Sequence, residues 1–125
     1  MSNPVFVYGT LQPGQPRWPA LAPFALRSGV SWSVSVAGRL FDTGYGWPAA
    51  VFDPVTSDQI PGVVVSVRPE STTDALAALD DVEGVATGLF LRVVVHIEGQ
   101  PCWAYQWSHP TDRFRRIARW PHTNA

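Results

Sequence analysis

Apolar positions along this chain recur mostly with a period of two, the spacing of a half-buried strand. Val5-Phe6-Val7-Tyr8 reads as a short buried strand near the start. Residues 29–41, GVSWSVSVAGRLF, set Val30, Trp32, Val34 and Val36 against Ser31, Ser33 and Ser35. That alternation predicts an amphipathic strand with one wet face. GVVVSV (62–67), LFLRVVVHI (89–97) and CWAYQW (102–107) add strands rich in β-branched and aromatic residues. Turn signals separate them at Asp42-Thr43-Gly44, Asp53-Pro54, Ile60-Pro61-Gly62 and Glu98-Gly99-Gln100-Pro101. The last of these predicts a hairpin joining the two final strands. The proline-rich stretch 13–23 reads as a loop with one helical turn around Ala20-Leu21.

The period changes to that of a helix in one clear place, PESTTDALAALDDVEG (69–84). Ser71, Thr72 or Thr73 suits its N-cap, Asp74 its first turn, and Gly84 its end. A second, short helix is expected over 111–119, stopped by Pro121. Five or six strands with one good helix predict an α+β fold built on a small, strongly curved sheet or barrel. The expected organisation is one domain over residues 1–110 followed by a basic C-terminal tail, 111–125.

Composition narrows the class. A chain of 125 residues suits one core, since single domains cluster at about 100–150 residues. It buries roughly two thirds of its unfolded surface, so no disulfide or metal is required for folding. The one cysteine, Cys102, fits a reducing compartment. Neither a secretory signal nor an apolar run near the roughly 20 residues of a membrane helix is present, so a cytoplasmic protein is expected. The formal charge of −1 gives no field toward nucleic acid or an anionic membrane. All the basic residues are arginine; without lysine, Schiff-base chemistry and a P-loop are excluded.

One carboxylate falls where an apolar residue belongs. On a helical wheel at about 100° per residue, Leu76 and Leu79 define the inward stripe of 74–83. Glu83 follows them by seven and four residues and projects between them, with Asp80 at the stripe's edge and Asp81 pointing away. A core-facing glutamate needs a partner or a cavity, and desolvation there raises its pKa toward values useful for proton transfer. The other reading is a helix that frays before 83, leaving this glutamate solvated or paired with an arginine. Gly9, just past the first strand, lets the backbone approach a ligand closely. The strand exit frees amide N–H groups that can bind a carboxylate or an oxyanion; an ordinary strand exit is the alternative.

Taken in order, VFVYGTLQPG, GRLFDTGYGWPAAV (38–51), IPGVVVSV, LDDVEG (79–84), FLRVVV (90–95) and CWAYQW resemble the γ-glutamylcyclotransferase-like (AIG2-like) family. The likeness covers roughly residues 4 to 107. It implies a small mixed β-barrel with flanking helices, and a cavity between the YGTL loop and a glutamate at a helix end. By position Glu83 matches the family's general acid/base. Tyr8, Gly9, Thr10 and Leu11 match the loop that holds the substrate's α-amino-acid end and carbonyl oxygen. The implied reaction releases 5-oxoproline from a small γ-glutamyl amine or peptide, with no cofactor and no metal. Departures lie at Phe90, where the family commonly has Tyr, at Trp47 before Pro48, and at Pro16 and Pro19.

Other constellations carry less. Cys102 with His96 recommends packing over a thiol nucleophile, and His96, His109 and His122 lack metal-ligand spacing. Asp80-Asp81 reads as a solvated helix face, Arg92 as a paired structural arginine, and Arg113, Arg115, Arg116 and Arg119 as a solvated tail with local carboxylate pairs, the alternative being a patch that meets RNA or an acidic partner. Trp47 beside Pro48 is a candidate cavity wall. The expectation is therefore an enzyme acting on a small molecule, with no nucleic-acid or membrane partner. The alternative is a non-catalytic member whose cavity binds a small acidic metabolite. Oligomeric state is not readable from the sequence.

Overall fold

The structure, a computed structural model, describes residues 3–26 and 31–121. Val30 and His122, both named above, lie outside the described residues. Seven strands form one mixed sheet: β1 (Val5–Val7), β2 (Ser31–Asp42), β3 (Pro48–Phe52), β4 (Gln59–Val65), β5 (Phe90–Ile97), β6 (Gln100–Trp107) and β7 (Arg115–Ile117). The order is β3-β2-β4-β1-β6-β5, with β7 beside β2. β1 pairs parallel with β6, and the other pairings are antiparallel. Two helices flank the sheet: α1 (Trp18–Leu21) and α2 (Thr72–Val82). The sheet nearly closes into a barrel, and Gln106 of β6 accepts the Phe52 N–H of β3 at 3.0 Å across the approaching ends.

Strand alternation divides the core in two. Phe6, Leu40, Ala50, Ile60, Val64, Val95, Cys102 and Ala104 come from all six main strands and fill the barrel interior. Their neighbours in sequence, Val5 and Val7, Phe41, Ala49, Val65 and Tyr105, face the other way with Phe90 of β5, and pack beneath Leu21 of α1 and Ala75 and Leu79 of α2. β1 is buried on both faces between β4 and β6, which is why it reads as an unbroken apolar run. The expected hairpin joins β5 to β6 through Glu98 and Gly99, both at positive φ (52° and 80°), as a two-residue type I′ turn requires. No helix among the described residues is long and apolar enough to cross a membrane.

Three expectations are corrected. Ile60-Pro61-Gly62 is not a turn but lies inside β4. Of β4, only Val63–Val65 pair with β1, so Pro61, opposite Ser35 of β2, lies beyond that pairing, where proline is tolerated. Gly62 is there because a Cβ would lie 2.5 Å from the Val7 carbonyl and 2.6 Å from the Phe6 ring. No helix forms over 111–119; residues 115–117 pair with β2 as β7. Arg116 covers the Phe41 ring and reaches Asp58 at 3.0 Å, and Ile117 packs against the barrel cluster, contacts an isolated helix would not make. In α2 the buried stripe is Ala75 and Leu79, with Leu76 only half-buried.

Candidate active site

β1 stops at Val7, and the chain then leaves the sheet as Tyr8-Gly9-Thr10-Leu11. The alternation sends the Tyr8 ring into the barrel, where it packs edge-on against Phe52 at 5.9 Å. Its hydroxyl donates to the Tyr105 carbonyl at 2.6 Å. Burial, and then the Glu83 charge, push this phenol well above its ordinary pKa, so it stays a donor. Gly9 is glycine because of Pro48: a Cβ would lie 2.7 Å from Cγ of that ring. The Gly9 and Thr10 carbonyls accept turn bonds from the Gln12 and Arg17 amides at 3.1 and 2.8 Å. The amides of Gly9, Thr10 and Leu11 make no main-chain hydrogen bond among the described residues, and all three residues line a cavity.

Glu83 enters the same cavity from the end of α2. Its own N–H still bonds the Leu79 carbonyl at 2.9 Å, so the helix does not fray before it. It therefore extends the Ala75–Leu79 stripe by one more turn, as the four-residue spacing requires. Gly84, at φ 66°, then ends the helix in the left-handed region where an L side chain is strained. Burial raises the Glu83 carboxyl from 4.5 to about 7, and the Arg17 guanidinium pulls in the opposite direction. Arg17 is held by a 3.0 Å bond from Nη1 to the Val82 carbonyl. Arg17 and Glu83 are the two charged residues on the cavity wall. The free interior of the cavity is small, about 20 Å³, room for about one water molecule.

The structure thus brings Tyr8, Gly9, Thr10, Leu11 and Glu83 to one cavity, with the Tyr8 ring turned away into the barrel. Pro48, Trp47 and Phe90 close the wall, as the Trp47-Pro48 step led one to expect. Two contributors carried no reading of their own. Arg17 sits in a proline-rich loop without periodicity. Tyr105 occupies a position of β6 on the face turned toward the helices, where strand parity alone gave a signal. The Tyr105 hydroxyl donates to Asp80 Oδ1 at 2.7 Å, and Arg92 Nη1 meets Asp80 Oδ2 at 3.1 Å. Burial and that bond raise the Tyr105 phenol pKa. Asp80 is therefore not part of a solvated face, although Asp81 is exposed; Arg92 is paired as expected.

The rival constellations come apart. Cys102 is buried in the barrel, which pushes its thiol pKa up, and His96 points to solvent on β5. No cluster of metal-ligating side chains occurs among the described residues.

Comparisons with known proteins agree with this architecture. The uncharacterized protein PH0828 of Pyrococcus horikoshii superposes with a TM-score of 0.68 at 22% identity, over 94% of this chain and 86% of that one. Protein ytfP of Escherichia coli, a solution structure, gives 0.60 at 21% identity, over 93% and 92%. These likenesses show the shared fold. Comparison with curated proteins finds no match. The family model for gamma-glutamyl cyclotransferase, AIG2-like, matches residues 5–121, nearly the whole chain. The chain belongs to the AIG2-like gamma-glutamyl cyclotransferase family.

Proposed function

We propose that this protein cyclises a small γ-glutamyl amine or peptide to 5-oxoproline, with Glu83 moving the protons. The reading rests chiefly on one observation: a glutamate poised near neutrality lines the same cavity as the Gly9–Leu11 segment, whose amides make no main-chain hydrogen bond among the described residues. The γ-glutamyl head is a zwitterion, and the wall offers one cation and one carboxylate. Arg17 takes the α-carboxylate, and Glu83 takes the α-ammonium.

Ionised Glu83 accepts a proton from the α-ammonium. The freed amine attacks the γ-carbonyl, forming the ring C–N bond, and the oxygen gathers negative charge. Amides from Gly9 to Leu11 stabilise that oxyanion. The protonated Glu83 then donates to the departing nitrogen as the old C–N bond breaks. The α-nitrogen loses two protons in all, and the expelled amine gains both on becoming an ammonium. Nucleophile and electrophile belong to one molecule, so the protein's main task is to hold the attacking conformer, worth several kcal/mol. Proton transfer by one positioned carboxylate adds about 10²- to 10⁴-fold.

Arg17 also supports a second reading, a non-catalytic cavity that holds a small acidic metabolite. Incubation with a panel of γ-glutamyl amines and peptides, followed for 5-oxoproline, separates the two. Release by the protein, reduced about 10²-fold or more in Glu83→Gln, is expected. Equal release by that variant removes Glu83 from the reaction, and no release from any compound leaves the binding reading.

A further inference from the structure

Glu83, Arg17 and the loop amides account for the γ-glutamyl half of a substrate. The amine on the far side of the scissile bond needs its own surface. Beside the charged pair and the Gly9–Leu11 loop, the cavity wall carries several aromatic rings. Trp47 and Phe90 both line it, with ring centroids 5.8 Å apart. Trp107 backs the two rings at 5.6 and 5.3 Å. From Trp47 the aromatic surface continues to Tyr45, 5.6 Å away and tilted by 35°. Tyr45 is 70% exposed, so an unbroken aromatic track runs from the cavity to solvent.

That track is held rigidly. Between β2 and β3, the Thr43 hydroxyl donates to the Trp47 carbonyl at 2.6 Å and accepts the Tyr45 N–H at 3.1 Å. Asp42 accepts the Gly44 N–H at 2.8 Å. Gly44 and Gly46, at φ 82° and 93°, supply the left-handed steps on either side of Tyr45. The turn therefore sets where the Tyr45 side chain leaves the backbone, and its ring lies in water against Trp47. A lone exposed ring needs no explanation. One stacked on a cavity-wall tryptophan offers a face for another flat or apolar group. Neither Tyr45 nor Trp47 nor Phe90 carries charge, and the two charged wall groups are engaged by the zwitterionic head.

We propose that Trp47, Phe90 and Tyr45 form the leaving-amine subsite and select γ-glutamyl donors whose amine bears an uncharged aromatic or apolar group. This rests on the cyclising function proposed above. An aromatic face also attracts cations, so an amine bearing a second ammonium is the competing occupant, and the test sets the two against each other.

The test compares 5-oxoproline release from γ-glutamylphenethylamide, γ-glutamylethylamide and γ-glutamyl-5-aminopentylamide. The phenethyl compound is expected to exceed both others in kcat/KM by at least ten-fold, about 1.4 kcal/mol. Tyr45→Ala, at an exposed site, is expected to lower the phenethyl-to-ethyl ratio several-fold. Equal rates for phenethyl and ethyl, preference for the aminopentyl compound, or an unchanged ratio in Tyr45→Ala overturns the subsite. Calorimetric titration of the same three compounds onto Glu83→Gln separates this from the reaction itself. Tighter phenethylamide binding with no release by the native protein keeps the subsite and overturns the cyclising function. Equal binding of all three removes the subsite.

Discussion

Replacing Glu83 by glutamine tests the physics of the site without any substrate. In water this carboxyl ionises near 4.5, and in the folded cavity near 7. A tenfold change in proton affinity is worth about 1.36 kcal/mol, so the gap corresponds to about 3 kcal/mol. The sign follows from linkage: between those two values the folded state binds more protons than the unfolded one, so stability falls as pH rises. The protonated carboxyl's contribution is fully present below pH 4.5, declines from there, and is gone above about 7. Glutamine keeps the shape and cannot ionise, so its curve lacks this component. Urea unfolding of both proteins, followed by tryptophan fluorescence from about pH 4 to about pH 9, reads the difference directly. The two are expected to match at the acid end. The variant is expected to gain about 3 kcal/mol at the alkaline end, or on the order of 10 °C in Tm. A difference that does not change with pH, or a variant that is less stable at about pH 9, would mean that this carboxyl is solvated. The acid/base role would then lose its basis.

Three further outcomes follow from named contacts. Arg17→Met removes the cation that holds Glu83 down, so the acid limb of the kcat/KM profile is expected to move above about pH 7, and KM to rise for donors with a free α-carboxylate. Gly9→Ala puts a methyl 2.7 Å from Pro48 Cγ and is expected to lower stability by about 1–3 kcal/mol in thermal melts. Asp80→Ala strips the Tyr105 hydroxyl and the Arg92 guanidinium of a shared acceptor, with an expected loss of about 1–3 kcal/mol in the urea midpoint analysis. In Asp80→Ala/Tyr105→Phe the loss is expected to be smaller than the sum of the two single changes.

What the sequence disclosed depended on whether one periodicity or two were at work. β1 is an unbroken apolar run, β5 and β6 are dense in β-branched and aromatic residues, and the Glu98-Gly99 turn has a single good geometry, so each was legible. Glu83 was legible because helical spacing fixes a side chain's direction without knowledge of its neighbours. The segment Phe114-Arg115-Arg116-Ile117 fits either period. What decides it is the Phe41 ring and the Asp58 carboxylate, more than 50 residues away in sequence. Pro61-Gly62 carries every local mark of a turn, yet the barrel needs a strand there with no Cβ against Phe6. Arg17 left no local signal at all: its role comes from α1 and α2 converging on one cavity. Asp80 was misread because its partners, Tyr105 and Arg92, lie on strands that follow it by 25 and 12 residues.

Those same partners explain how two distant segments come to share a cavity. β1 is only three residues long, and the loop after it would be free to move were Tyr8 not anchored inside the barrel on the Tyr105 carbonyl. Tyr105 in turn sends its own hydroxyl the opposite way, to Asp80, three residues before Glu83 on the last turn of α2. The loop amides and the acid are thus tied through one residue of β6, its main chain to the loop and its side chain to the helix. A helix end attached only by apolar packing could slide by a fraction of an ångström with little loss. A 2.7 Å hydrogen bond to a carboxylate already fixed by Arg92 resists that slide. Positioning of this kind is what the proposed ring closure would require, since its nucleophile and electrophile belong to one substrate molecule.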